Sequence, residues 1–309
     1  MCANSLRTDP LCQDVLAHHI LMLEKVWQQR NEFDIVHFHI DYLHFPLSRQ
    51  SEVRQITTLH GRLNIPDLIP VYREFNEMPV VSISLRQRDF LPYANWVGNV
   101  YHGLPGHSLP FNSGPGKYLV FIGRISPEKR PDRAIEIAMR AGIPLKMAAK
   151  VDAVDREYFT SVVQPLLSQP GIEFIGEIGD GEKADFLGNA IASLAPIDWP
   201  EPFGLNMIEA MACGTPTIAF PNGSVPEILD DGISGIIVQN VNEAVQAVPR
   251  TMAMSRRACR NAFERRFTVS RMADDYLAIY QQLVTGPGAD RMLELRQQES
   301  SGILKEDAA

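Results

Sequence analysis

Short apolar, β-branched runs alternate along this chain with amphipathic stretches of helical length, and the whole pattern occurs twice. In the first part, the runs that predict strands are FDIVHFHI (33–40), RQITTLHG (54–61), PVVSIS (79–84) and NWVGNVYHG (95–103). A turn-forming segment, FNSGPG (111–116), follows, and the pattern restarts with KYLVFIGRI (117–125). Strands that alternate with such helices form parallel sheets with crossover connections. We therefore predict an α/β fold with two domains, spanning 1–112 and 113–266.

The last amphipathic stretch, FTVSRMADDYLAIYQQLV, predicts a C-terminal helix within 267–285, and a polar tail over 286–309 is expected to be mobile. A length of 309 residues suits two domains. The net charge of −8 argues against a general nucleic-acid binder, which needs a basic surface. The scattered cysteines form no CxxC pair, and the first residues lack the apolar core of a signal peptide, so we expect a cytoplasmic protein.

Two glutamates, Glu201 and Glu209, occur in the otherwise apolar stretch WPEPFGLNMIEAMACGTPTIAF. The spacing of apolar residues predicts a helix from Leu205 to Cys213 that ends at Gly214, so Glu201 precedes the helix and Glu209 lies within it. Carboxylates roughly 12 Å apart are too distant to share a proton, but they can hold the two ends of an extended ligand. The free N–H groups at the helix start favour an anion between them.

This arrangement suits a nucleoside diphosphate sugar, with Glu209 at the ribose hydroxyls and Glu201 at the sugar. The alternative is that Glu201 only complements the helix dipole and that Glu209 is solvated. GRISPEK favours the ligand-binding interpretation, because it places Arg124 and Lys129 after the first strand of the second domain. Ligands bind at this end of the strands in open parallel sheets, and both side chains can offset the charge of a leaving diphosphate.

Several segments together resemble family 4 of the retaining glycosyltransferases, also called glycosyl transferase group 1. They lie in order between Lys117 and Val238: YLVFIGRISPEKRPDRAIEIA, FIGEIGD, EPFGLNMIEAMACGTPTIAF and GSVPEILDDGISGIIV. The resemblance implies the GT-B fold, in which two Rossmann-like domains face each other across a cleft that binds the donor. It also implies that the helix within 267–285 crosses back onto the N-terminal domain.

The resemblance also assigns roles to individual positions. Arg124 and Lys129 become ligands of the donor diphosphate, Glu201 lies near the transferred sugar, and Glu209 binds the ribose. His60, in TLHG, resembles the family's active-site histidine beside that sugar. The backbone of three further residues is expected to face the sugar hydroxyls and the diphosphate: Phe203, Gly204 and Leu205. Members of the family need no metal ion, so we expect no metal and no cofactor besides the nucleotide sugar.

The implied reaction is transfer of a hexose from a donor such as UDP-glucose to the hydroxyl of an unknown acceptor, with retention of configuration. We expect front-side attack, with the leaving phosphate taking up the acceptor proton. The two close carboxylates of retaining glycosidases are not predicted here. A phosphorylase, which can share the GT-B fold, would need a lysine for pyridoxal phosphate, and no such sequence context is evident.

The first part of the sequence departs from the family pattern. Members open with a strand and a glycine-rich loop, whereas the first strand predicted here is FDIVHFHI. We therefore expect an incomplete N-terminal domain that lacks roughly 80 residues of strand–helix units. The alternative function is a catalytically impaired or non-catalytic nucleotide-sugar-binding protein that pairs with a partner chain along a bare sheet edge. Lys150, where many members have glycine, is either a further phosphate ligand or a surface residue.

Other polar segments allow more than one interpretation. HFHIDYLH contains His37, His39, Asp41 and His44. It is either a weak metal-site candidate or a strand whose C-terminal loop lines the cleft. The basic RRACRNAFERRF (256–267) suits a solvated helix face or, less readily, a peripheral contact with an anionic membrane. PEILDDG (226–232) suits a turn and a helix cap.

Overall fold

A computed structural model describes residues 6, 9 and 11–285 of the chain, so the tail predicted over 286–309 lies outside the described residues. The first elements are α1 (Val15–Gln29), β1 (Val36–Phe38), α2 (Phe45–Arg49), β2 (Gln55–Thr58), α3 (Leu68–Glu74), β3 (Pro79–Ser82) and β4 (Asn95–Asn99). They are followed by β5 (Tyr118–Arg124), α4 (Pro131–Ala141), β6 (Leu145–Lys150), α5 (Arg156–Tyr158), β7 (Ile172–Gly176), α6 (Asp180–Gly188) and β8 (Ala190–Ala195). The last elements are α7 (Leu205–Ala212), β9 (Thr217–Ala219), α8 (Val225–Ile228), β10 (Gly235–Ile237), α9 (Val241–Met252), α10 (Arg256–Arg266) and α11 (Val269–Thr285).

The N-terminal sheet consists of four parallel strands in the order β1-β2-β3-β4. Strand β2 lies inside the sheet, and the register pairs Ile56 with His37 on β1 and Thr57 with Val80 on β3. Ile56, Thr57 and Val80 are buried, which is typical of parallel strands that are covered on both faces. The strands β1, β2 and β4 all end at the same edge of this sheet, and loops that carry histidines follow them.

The second sheet has six parallel strands in the order β10-β9-β8-β5-β6-β7. Helices α4 and α9 pack on one face, and α7 and α10 pack on the other. The chain leaves β5 for β6 on one side and later returns to β8 on the other, so the strand order reverses at β5. In open α/β sheets, ligands bind in the crevice at the carboxyl ends of the strands beside such a reversal. Arg124, the last residue of β5, lies at that position.

Helix α11 leaves the second domain and packs against the N-terminal sheet. Its Ile279 is buried in one cluster with Ile56, Val81 and Val100. Gly98 makes the close approach possible, because a Cβ at this position would come within 2.3 Å of Ile279 Cδ1. The C-terminal helix therefore covers one face of the N-terminal domain.

Some elements differ locally from the predictions. A strand is predicted up to residue 103, but β4 ends at Asn99. The single helix predicted after β6 is divided into α5, a π turn at Phe159–Val163 and a 3-10 turn at Gln164–Ser168, where proline follows Gln164 and removes a backbone donor. Helix α1 was not predicted, although Asp14 caps it by accepting two backbone N–H groups. Within residues 6, 9 and 11–285, no helix combines the length and apolar character that a membrane span requires.

Candidate active site

The two domains enclose a cleft of about 440 Å³ at the carboxyl ends of their strands. The first domain contributes His60, Gly61, Arg62, Ile83 and His102 to its lining. The second domain contributes Ile122, Gly123, Arg124, Lys129, Lys183, Trp199, Glu201, Pro202, Phe203, Gly204, Leu205, Asn206 and Glu209. The eight residues predicted to bind the donor therefore line one cleft, although the roles assigned to them remain predictions: His60, Arg124, Lys129, Glu201, Phe203, Gly204, Leu205 and Glu209.

Glu201 is held by contacts on several sides. Only 9% of the residue is exposed, and its Oε2 accepts hydrogen bonds from Lys129 Nζ and from Trp199 Nε1, the latter at 3.1 Å. The Lys129 ammonium also lies 5.2 Å from the centre of the Trp199 ring, within range of a cation–π contact. The loop itself is pinned by Ser224, whose N–H donates to the Glu201 carbonyl at 2.9 Å. The carboxylate and the ammonium thus form one largely buried pair at the cleft.

The start of α7 presents backbone N–H groups to the cleft beside this pair. Gly204 precedes the helix with φ at 84°, a left-handed conformation that favours glycine. A Cβ on Gly204 would also meet Met207 Cε at 2.4 Å. Phe203 is buried, so its backbone rather than its side chain is placed to meet a ligand. Unpaired N–H groups and the helix dipole make this point suitable for an anion.

Glu209 lies in α7 beyond this helix start, and Lys183 of α6 is its ion-pair partner at 3.0 Å. Burial disfavours the charged form of Lys183, but its contacts with Glu209 and Asp180 outweigh this effect and raise its pKa. The sequence analysis missed Lys183. Its position in the helix that follows β7 is the only signal in the sequence, because the partner carboxylate is 26 residues away. We refer to Arg124, Lys129, Lys183, Glu201 and Glu209 together as the ion-pair wall.

The predicted phosphate ligand Arg124 has a carboxylate near it as well. Asp152 Oδ2 lies 4.0 Å from Arg124 Nη1, and Asp152 Oδ1 lies 3.3 Å from Lys150 Nζ. Arg124 and Lys150 are register partners on β5 and β6, so one carboxylate spans both cations. Lys150 does not line the cleft, which favours a role in orienting Asp152 over direct contact with phosphate.

The N-terminal side of the cleft carries imidazoles. His39 Nδ1 lies 2.7 Å from His60 Nε2, and the rings of His60 and His102 are stacked with centroids 5.3 Å apart. His102 in turn meets Phe203 edge-on at 4.8 Å. These residues follow the carboxyl ends of β1, β2 and β4. Because parallel strands end at the same edge of a sheet, the positions of these histidines in the sequence predict that they lie close together. We refer to His60 and His102 as the imidazole wall, and His39 bonds His60 without lining the cleft itself.

The imidazole wall is uncharged near neutral pH. His60 is exposed at the cleft, but the protein around its ring still desolvates it, and this effect, followed by the neighbouring His39, lowers its pKa to about 4. Burial, followed by the proximity of His60, lowers the pKa of His102 to about 4. Burial also lowers the pKa of His39. Neutral imidazoles can donate one hydrogen bond and accept another, which suits hydroxyl groups better than phosphates.

The remaining histidines of HFHIDYLH have structural partners. His37 lies between the Tyr280 hydroxyl at 2.6 Å and Thr58 Oγ1 at 2.8 Å, so it connects α11 to β2. His44 is fully buried and bonds Ser48 and Thr57. Within the described residues, no group of three or more His, Cys, Asp or Glu side chains is arranged to hold a metal ion.

Polar contacts between the domains include one at Arg62 and several at Glu227. Arg62 Nη1 donates to Glu128 Oε1 at 2.5 Å, and the Arg62 guanidinium lies 5.7 Å from the centre of the Trp199 ring. Glu227 accepts the backbone N–H groups of Leu85 and Arg86, each at 2.7 Å, and the Tyr101 hydroxyl at 3.1 Å. The carboxylate of PEILDDG therefore caps a short helix of the opposite domain.

Comparison with known proteins agrees with this geometry. Residues 110–262 match the model of the family Glycosyl transferases group 1. The second domain of the chain belongs to this family. The D-inositol 3-phosphate glycosyltransferases of Mycobacterium bovis and Mycobacterium tuberculosis are 28% identical to it over 269 residues, which cover 79% of this chain and 50% of theirs. The chain thus spans about half the length of the curated relatives that it matches.

Solved structures share the GT-B fold with this chain. AviGT4, a glycosyltransferase involved in avilamycin A biosynthesis, superposes with a TM-score of 0.67 and 23% identity over 85% of this chain and 79% of its own. Anabaena Alr3699/HepE in complex with UDP and glucose superposes with a TM-score of 0.69 and 16% identity, and the match covers 86% of this chain and 82% of HepE. Sucrose-phosphate synthase from Thermosynechococcus elongatus superposes with a TM-score of 0.71 and 20% identity, and the match covers 85% of this chain and 77% of the synthase. The predicted α/β fold of GT-B type is therefore confirmed.

Proposed function

We propose that this protein moves a hexose from a nucleoside diphosphate sugar, with UDP-glucose as the model donor, to an acceptor hydroxyl with retention of configuration. The observation that carries the proposal is the order of groups along the ion-pair wall. Glu201, the N-terminus of α7 and Glu209 lie in order on one loop and the helix that follows it, and Lys129, from the loop after β5, pairs with Glu201 in the same cleft. Complexes of the similar HepE with UDP and with UDP-glucose support the choice of donor.

In this proposal, each part of the donor meets groups of matching chemistry. The ribose hydroxyls bind Glu209, and the diphosphate lies against the start of α7 with Arg124 and Lys129 beside it. The hexose extends past Glu201 towards His60. Because Lys129 bonds Glu201 in the unliganded cleft, the lysine can contact the phosphate and still hold the carboxylate in place.

The proposed chemistry needs no protein nucleophile. The bond between the anomeric carbon and the phosphate oxygen breaks, and the acceptor oxygen bonds to the same face of that carbon. The acceptor proton passes to the departing phosphate oxygen, whose negative charge Arg124 and Lys129 offset. Since these cations and the helix start supply the positive charge, we propose that the reaction requires no metal ion.

The experiment is a screen of UDP-, GDP- and ADP-sugars for donor hydrolysis and transfer, together with calorimetric titration of the free nucleotides. We expect one nucleotide to bind, its hexose conjugate to be turned over, and chelator treatment to leave the rate unchanged. A product of inverted configuration, or activity that only added Mn²⁺ restores, would contradict the proposal. Nucleotide binding without any turnover would instead support the non-catalytic alternative.

A further inference from the structure

His60 has one nitrogen engaged with the protein and one left for a ligand. Its Nε2 bonds His39 Nδ1 at 2.7 Å, and no other hydrogen bond to the ring occurs within the described residues. Because His60 lines the cleft, Nδ1 is the atom available to a bound sugar. Whether Nδ1 donates or accepts depends on which nitrogen carries the single proton of the neutral ring.

His39 controls that choice through the shared hydrogen bond. If His39 Nδ1 donates this hydrogen bond, His60 Nε2 is the acceptor and carries no proton. The single proton of the neutral His60 ring then lies on Nδ1, and Nδ1 donates to the ligand. If His60 Nε2 carries the proton, Nδ1 is bare and accepts. The ring of His39 is itself fixed by its contact with His37, whose centroid lies 4.2 Å away. His102 stacks on His60 at an interplanar angle of 7° and so restrains the plane of the ring without bonding its nitrogens.

We propose that His39 is a positioning residue that fixes the tautomer and rotation of His60 for the donor sugar. His39 does not line the cleft, so it acts through His60 rather than on the substrate. The proposed effect on turnover rests on the proposed glycosyl transfer, whereas the tautomer of His60 can be measured in the resting protein.

The test compares replacements of His39 that keep, shift or remove the group that bonds His60. Asparagine at 39 carries its amide at the level of Nδ1 and can keep the bond to His60. Glutamine carries the same amide one methylene further out, and phenylalanine keeps the ring without nitrogen. Nitrogen-15 NMR of the His60 ring at pH 7 reports the tautomer directly. His107, an exposed histidine, gives the matched control His107→Phe.

We expect a single His60 tautomer in the unmodified protein, in His39→Asn and in His107→Phe, and a mixture in His39→Gln and His39→Phe. Donor turnover should fall about 3- to 10-fold in His39→Gln and His39→Phe, as expected for loss of one neutral hydrogen bond, with free UDP affinity unchanged. A single unchanged tautomer in His39→Gln and His39→Phe would overturn the proposal. If the tautomer changes but the unmodified protein transfers no sugar, the positioning role holds and the proposed reaction fails.

Discussion

The polar groups on one wall of the cleft are charged, whereas those on the other wall are neutral. On the ion-pair wall, Glu201 and Glu209 are each joined to a lysine. On the imidazole wall, desolvation lowers the pKa values of His60 and His102 to about 4, so these rings are neutral near pH 7. Carboxylates and ammonium groups lose hydration when they are buried and need partners, whereas imidazoles can simply release a proton.

Under the proposed function, this difference divides a nucleotide sugar between the two walls. The charged diphosphate suits the ion-pair wall, which supplies cations and lies beside the positive end of the α7 dipole. The uncharged hexose suits the wall whose groups donate and accept hydrogen bonds without net charge. We therefore predict that substitutions on the ion-pair wall will change either nucleotide affinity or turnover, depending on the residue. We also predict that turnover will depend little on the protonation of the imidazole wall near neutral pH.

The largest effect is expected from Glu201→Gln on the ion-pair wall. Turnover should fall about 10²- to 10³-fold, as when one preorganised group that stabilises a transition state is removed. Free nucleotide affinity should change little, because Glu201 is placed at the sugar. Steady-state kinetics and calorimetry measure the two quantities. Glu136→Gln, which removes a carboxylate from an exposed ion pair with Arg140, is the control. Equal losses of turnover and nucleotide affinity would contradict the division of the cleft.

The next largest effect is expected from the cations of the ion-pair wall. Arg124→Ala and Lys129→Ala should each weaken nucleoside diphosphate binding by about 1.5–3 kcal/mol, the range for hydrogen bonds to charged groups. Calorimetric titration with UDP checks this, and Arg140→Ala tests a cation in an exposed pair away from the cleft. Unchanged affinity in both cleft variants would remove these residues from the diphosphate site. Lys129→Ala should also lower the unfolding midpoint, because it leaves Glu201 without its cationic partner.

A smaller effect is expected at Glu209. Glu209→Gln should weaken free UDP and intact donor equally, by about 1 kcal/mol, because the ribose is remote from the bond that breaks. Lys183→Met should weaken UDP binding in the native background but change it little further when combined with Glu209→Gln, since the lysine acts by holding that carboxylate. Fully additive effects in this double-mutant cycle would show that Lys183 contacts the nucleotide independently of Glu209.

The smallest effect is expected from pH near neutrality. Because the pKa values of His60 and His102 are about 4, turnover should not change between pH 6 and 8 through these groups. Stability should decline as the pH falls from about 6.5 to about 4, because the unfolded chain binds protons that the folded imidazoles do not. Thermal unfolding midpoints at pH 7, 5.5 and 4.5 test this. A midpoint that rises on acidification over this range would contradict the assignment of neutral, desolvated imidazoles.

The fold and much of the cleft could be predicted from the sequence because both depend on local patterns. Alternation of strands and helices predicted the parallel sheets, and the spacing around Leu205–Ala212 predicted α7. The side-chain pairings could not be predicted, because partners such as Lys129 and Glu201 are 72 residues apart. Helix α1 was missed because several of its apolar residues, including Leu16 and Ile20, are exposed rather than directed at a single buried face.

Glu227 has a mechanical consequence for the whole molecule. Its two backbone hydrogen bonds to Leu85 and Arg86 fix one point where the domains meet, while the Arg62–Glu128 pair joins two partly exposed side chains. Exposed ion pairs contribute little free energy, whereas a carboxylate that caps free N–H groups is held more firmly. Relative movement of the two domains should therefore break the Arg62–Glu128 pair more readily than the contacts of Glu227.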